Sequence, residues 1–223
     1  MNLRLLQLGD SALPIGGYSH SWGLEAAVDR GLVRDAAGLE QWVRDWLRFV
    51  VVPGEGVLVA AGCAAAARGD WASLRHANEL FEAGLSPPTL RQASREMGEQ
   101  LLSLAENWPW AAGAARRLRE TSARVWYHPL VFATLAAVAP ATPAEALALF
   151  LNQAAMGLIA AGVKAIPIGH THGQQLLASL HEAIEELAAE WSQRDLETAG
   201  AYCPAYEVLC HAQSRLYTRL FRS

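Results

Sequence analysis

Histidine and cysteine are the residues of this chain whose types and spacing could hold a metal. His170-Thr171-His172 places two imidazoles at alternate positions between Pro167 and Gly173. On an extended backbone both can meet one ion. Joined by His128 and an acid supplied by the fold, they would make a metal-dependent hydrolase, which is the enzymatic reading of this sequence. Two ligands alone bind weakly, and the competing reading has Thr171 or a neighbour capping the next helix while the imidazoles meet solvent or backbone. His181-Glu182-Ala183-Ile184-Glu185 carries Glu185 where a zinc-protease signature needs its second histidine. Cys63, Cys203 and Cys210 form no CxxC pair and are odd in number, which argues against a zinc ribbon or a disulfide framework and for a reducing compartment.

Nucleophilic and nucleotide chemistry fare worse. Neither serine of Gly16-Gly17-Tyr18-Ser19-His20-Ser21-Trp22-Gly23 has a glycine two residues away on both sides, as a hydrolase elbow requires. Ser19 and His20, if helical, diverge by about 100°. The simpler expectation is that the glycines allow a tight entry, Ser19 caps a helix, and Trp22 and Leu24 pack. Lys164 has no GxxxxGK[ST] loop ahead of it, so no nucleotide is held in the P-loop manner. Arg116, Arg117, Arg119 and Arg124 form the basic cluster, read as a solvated helix face or a contact for an acidic partner. No catalytic residues and no cofactor are assigned.

The elements that must position these residues are helical. The 223 residues are 52% hydrophobic and 18% charged with a net charge of −4, which excludes dominant disorder and does not suit a nucleic-acid binder. Leu176, Leu180, Ile184, Leu187 and Trp191 make one stripe across 173–193, with Glu182, Glu185, Glu186 and Glu190 elsewhere. Leu39, Val43, Trp46 and Val50 make another, flanked by Trp42 and Leu47 and expected to stop before Pro53. Thr142-Pro143-Ala144-Glu145 is a capping box with proline at the first helical position; Ser86-Pro87 and Asp70 are further starts. The expected fold is all-α, one compact bundle of about eight to ten helices spanning 1–223 as a single domain. The apolar run 146–163 reads as a buried core helix, and the N-terminus lacks a signal-peptide core, so the expected location is the cytoplasm.

The end of the chain points to partners. Leu209, Leu216, Tyr217, Leu220 and Phe221 crowd the last residues, interspersed with Arg215, Arg219 and Arg222. Chain ends fray unless held. Tyr, Phe and Arg are enriched at interfaces, so 204–223 is either a partner-binding segment or a helix docked on its own domain.

Four segments carry a resemblance. Leu6-Gln7-Leu8-Gly9-Asp10-Ser11-Ala12-Leu13-Pro14-Ile15-Gly16-Gly17-Tyr18-Ser19-His20-Ser21, followed by Gly23-Leu24-Glu25, is the first. Arg91-Gln92-Ala93-Ser94-Arg95-Glu96-Met97-Gly98 is the second, and Ile166-Pro167-Ile168-Gly169 leading to Thr171 and Gly173-Gln174 the third. Leu216-Tyr217-Thr218-Arg219-Leu220-Phe221 closes the chain. In order and over nearly the full length, they resemble the UreF family of urease accessory proteins. The resemblance implies an all-α homodimer without enzymatic activity of its own. It would be a nickel-insertion chaperone that bridges UreD (also called UreH) and the GTPase UreG in the complex that activates apo-urease. GTP would then be bound by UreG, whose turnover and nickel transfer the chain would modulate. It also implies that Tyr217, Arg219 and Phe221, with Leu216 beside them, engage UreD, supported by Tyr18 and His20. His170 stands where the family usually has Gln, which leaves a nickel contact open. Ala133 follows Phe132 where a glycine is expected, which implies altered helix packing.

Overall fold

Apolar residues recurring every three to four positions wind most of this chain into helices. A computed structural model describes residues 2–85, 87–121, 123–200 and 203–223. Among these there is no strand. Ten helices form: α1 (Leu3–Leu8), α2 (Leu24–Asp29), α3 (Ala36–Ala67), α4 (Trp71–Gly84), α5 (Pro88–Ala105), α6 (Ala112–Glu120), α7 (His128–Val138), α8 (Pro143–Ala165), α9 (His170–Trp191) and α10 (Pro204–Gln213). Short 3-10 turns lie at Gly17–Ser19 and Leu196–Thr198. The all-α expectation holds.

Local signals set several of the ends. Thr142 and Glu145 close a reciprocal capping box at the start of α8, and the Asp70 carboxylate accepts from Ser73 N at 3.1 Å to start α4. Ser86 lies outside the described residues; Pro87 takes the cap position and α5 begins at Pro88. Ser19 does not cap a helix, because Gly23, at φ +81°, occupies the position before α2. In α9 the stripe Leu176, Leu180 and Ile184 is buried and Glu182, Glu185, Glu186 and Glu190 are exposed.

α3 departs from the expected stop before Pro53. It runs on to Ala67 through a π-helical stretch, Leu47–Gly56, that contains the proline. Proline lacks an N–H and its ring crowds the carbonyl four residues back. The wider π turn, with bonds reaching one residue further, carries the chain past that obstacle. The Pro53 carbonyl still accepts from Gly200 N at 2.7 Å.

At the centre is α7, buried along His128–Ala136 and packed against α5 and the second half of α3. Two glycines permit that approach. A Cβ on Gly62 would sit 3.1 Å from the Ala133 Cβ, so the methyl of Ala133 fills the space opposite a residue that has none. A Cβ on Gly98 would press on Trp126 O and lie 2.8 Å from His128 N, so α5 touches the backbone that leads into α7. α8 packs along α9 and also reaches α2 and α3. Helices α3 and α8 are long and apolar enough to cross a membrane by length and composition, and half or more of each apolar window is buried inside the protein (56% and 50%).

Candidate functional site

The chain entering α2 is shaped to receive another strand of backbone. After α1 the Asp10 carboxylate accepts from Ala12 N at 2.8 Å, a local turn, and the chain then doubles back at Gly16, at φ +85°. Ser19 Oγ donates to Gly16 O at 2.7 Å. Trp22 is the one non-glycine residue with positive φ (+51°) among those described, and Gly23 continues the left-handed turn. That turn aims the N–H groups of Ser21 and Trp22 the same way.

The C-terminal residues occupy this receptor. Residues 214–223 are not helical; they leave α10 as turns and run back along 19–22 as a strap. Arg222 N donates to Ser19 O at 2.8 Å, and Ser223 O accepts from Ser21 N at 2.5 Å and Trp22 N at 3.1 Å. His20 Nδ1 meets Ser223 Oγ at 2.7 Å. The Glu25 carboxylate, buried in the first turn of α2, accepts from Leu220 N at 2.6 Å and Phe221 N at 3.3 Å. Gln213 ties the helix before the strap to the same place, its Oε1 accepting from Gly23 N and Ser21 Oγ at 3.1 Å each. Outside this core, Arg222 pairs with Glu96 at 3.0 Å and Lys164 Nζ stands 5.8 Å from the centre of the Phe221 ring. Burial, and secondly the Arg222 cation, lower His20 to about 4, so it is neutral at neutral pH.

The strap divides the expected partner residues in two. Phe221, 5% exposed, is a core residue, and burying it contributes about 2 kcal/mol. His20 is likewise buried and Leu216 half-buried. Tyr217, Thr218, Arg219 and Leu220 stand in solvent, Tyr217 completely and Leu220 at 69%. Tyr18, 73% exposed, precedes Ser19, the residue that pairs with Arg222, so it lies at the same end of the protein. The tail therefore docks on its own domain through Phe221 and Ser223, with Leu216 half-buried, while the four residues 217–220 protrude. Sequence reasoning quoted Glu25 without giving it a role and passed over Gln213. A carboxylate at a helix start with apolar neighbours on both sides was the available signal.

The histidine pair sits on a helix and not on extended backbone. His170 and His172 lie in the first turn of α9, both exposed, with Gly169 at the cap position and no side-chain cap from Thr171. Helical residues two apart point about 200° from each other, so this pair does not converge on one ion. His128 is buried at the start of α7, its ring 5.6 Å from Phe150 and 6.1 Å from Phe132. No group of three His, Cys, Asp or Glu able to hold a metal occurs among the described residues. In the basic cluster Arg119 is committed to Glu99 at 2.6 Å and Glu106 at 2.8 Å, and Arg117 lies 5.6 Å over Trp71.

The described residues thus define the class of all-α bundles, here with a docked C-terminal strap and a projecting turn. Residues 33–181 match the family model described as UreF. The chain is 35% identical to the urease accessory protein UreF of Pseudomonas fluorescens, over 98% of this chain and 97% of that one. It is also 35% identical to the proteins of the same name from Cupriavidus pinatubonensis and Cupriavidus metallidurans, over 99% of this chain and 97% of each. The chain belongs to the UreF family of urease accessory proteins.

Proposed function

We propose that this chain is a non-enzymatic adaptor in urease maturation, working in the cytoplasm as a homodimer of single-domain subunits. In this reading it bridges UreD (UreH) and the GTPase UreG within the complex that loads nickel into apo-urease. Its leverage on UreG comes from contacting one nucleotide state better than another, since a partner shifts an equilibrium only by its differential affinity. Nickel is cargo of the complex, and GTP stays with UreG.

The observation that carries the proposal is the turn Tyr217–Leu220. An aromatic, an arginine and a leucine project into solvent from a strap whose two sides are fastened, so the backbone that carries them is ordered before a partner arrives. UreD is the partner assigned to this turn, with Tyr18 at its edge. Phe221, Leu216 and His20 hold the turn in place.

Co-purification with UreD and UreG tests the reading. The expected result is a ternary complex that supports nickel-dependent urease activation. A chain that elutes alone from a mixture with both, and fails to support activation, refutes it.

A further inference from the structure

Trp22 also borders a cavity of about 230 Å³ enclosed by α3, α4, α5, α7, α8 and α10, which opens beside the exposed Tyr18 and Asp10. Its walls are largely apolar, with Trp46, Phe81, Met97 and Phe150 among them. Polar side chains nevertheless lie in its wall. Ser94 is 2% exposed and Trp46 and His128 7% each, and Trp46 Nε1, Ser94 Oγ, His128 Nε2 and Gln153 Oε1 are enclosed without a hydrogen-bond partner. Folded proteins pair nearly all such atoms, so four on the wall of one cavity single it out as a candidate ligand pocket.

The chemistry of the wall selects the occupant. Glu55 contributes a carboxyl from the π-helical stretch of α3, and no lysine or arginine is among the described residues lining the cavity. An ionised carboxylate and an amide oxygen can only accept hydrogen bonds. An occupant that reaches Glu55 and Gln153 must therefore donate to them, while Trp46 Nε1 and Ser94 Oγ can donate to an acceptor on its body, and an anion beside an ionised Glu55 is repelled. Aromatic faces around an acid also suit a cation. Burial raises Glu55 to about 7, and a positive ligand would hold it ionised. An empty apolar cavity of about 150 Å³ admits benzene, so the larger space here suits a body of one or two rings.

We propose that this cavity is a binding site for a small organic ammonium ion with an apolar one- or two-ring body, its N–H groups donated to Glu55 and Gln153. The inference does not depend on the adaptor reading.

Three isosteric probes test it on the purified full chain at pH 8: phenethylamine, 2-phenylethanol and phenylacetate, followed by calorimetry and by chemical-shift changes of the cavity methyl groups. Phenethylamine is expected to bind about tenfold more tightly than the alcohol, as a charge-assisted hydrogen bond would give, and phenylacetate not to bind. Glu55→Gln should bring the amine down to the affinity of the alcohol. Gly157→Leu should abolish binding of both, because Gly157 lines the cavity and a Cβ there meets no atom within 4 Å, leaving the fold intact. Any one of four results overturns the proposal: no saturable binding, an amine no tighter than the alcohol, an unchanged amine affinity in Glu55→Gln, or retained binding in Gly157→Leu.

Discussion

Glu25 accepts from the backbone of Phe221 at 3.3 Å across 196 residues of sequence, and from Leu220 at 2.6 Å beside it. One carboxylate at the start of α2 thereby sets where the exposed turn of the strap stands. Among the described residues no salt bridge is formed by it; backbone N–H groups and the Gln213 amide, at 3.4 Å, satisfy its oxygens.

Glu25→Ala removes the acceptor for both strap amides and is expected to lower stability by about 1–3 kcal/mol, the range for losing a hydrogen bond to a charged group. Urea denaturation measures it. Amide exchange at Leu220 and Phe221 should quicken in the same variant while α7 stays protected. A variant with unchanged exchange at those two amides would show that Glu25 does not hold the strap.

Tyr217→Ala should separate partner binding from folding. Tyr217 is fully exposed, so its truncation is expected to move stability by no more than about 0.5 kcal/mol. Binding to UreD should weaken about tenfold or more, the loss expected of an aromatic anchor. Phe221→Ala should do the reverse in emphasis, costing about 3 kcal/mol of stability because a buried ring is removed. Equal UreD affinity for the Tyr217 variant and the parent would move the interface away from this turn.

What the sequence disclosed depended on how far apart the interacting residues stand. The capping box of Thr142 and Glu145, the Asp70 cap and the stripe of α9 were legible because each is settled within a few turns of helix. The passage of α3 through Pro53 was not, because a π turn is chosen by the packing around it and leaves no local pattern. The strap was half legible. Aromatic and arginine residues at the chain end pointed to an interface, but which of them face inward depends on Ser21, Trp22 and Glu25, some 200 residues earlier. The His170 and His172 pair left two readings open because alternate spacing favours a shared ion only on an extended backbone, and α9 begins at His170.

Gly98→Ala tests the seating of α7. The added methyl would meet Trp126 O and the backbone N of His128 at 2.8 Å, and backbone cannot move aside as a side-chain tip can. Overpacking of this kind costs about 1–3 kcal/mol. The expected result is a lower thermal midpoint with helix content retained, and a midpoint equal to the parent's would mean that α5 and α7 are less closely packed than described.

Acid stability should reveal opposing buried groups. Burial, joined at His20 by Arg222, lowers His20 and His128 to about 4 from 6.5, while burial raises Glu55 to about 7 from 4.5. Between 6.5 and 4 the unfolded chain binds more protons at the histidines, so their contribution is lost as pH falls through that window. Between 7 and 4.5 the folded chain binds more at Glu55, so that residue stabilises the protein as pH falls. The two trends oppose each other over the shared range, 6.5 to 4.5. Glu55→Gln is therefore expected to lose thermal stability more steeply than the parent across that range, and His128→Gln less steeply. The remaining carboxylates are common to all three chains and cancel in the comparison. Thermal midpoints recorded at half-unit pH steps check the signs, and three parallel curves would show that neither group titrates out of register with the unfolded chain.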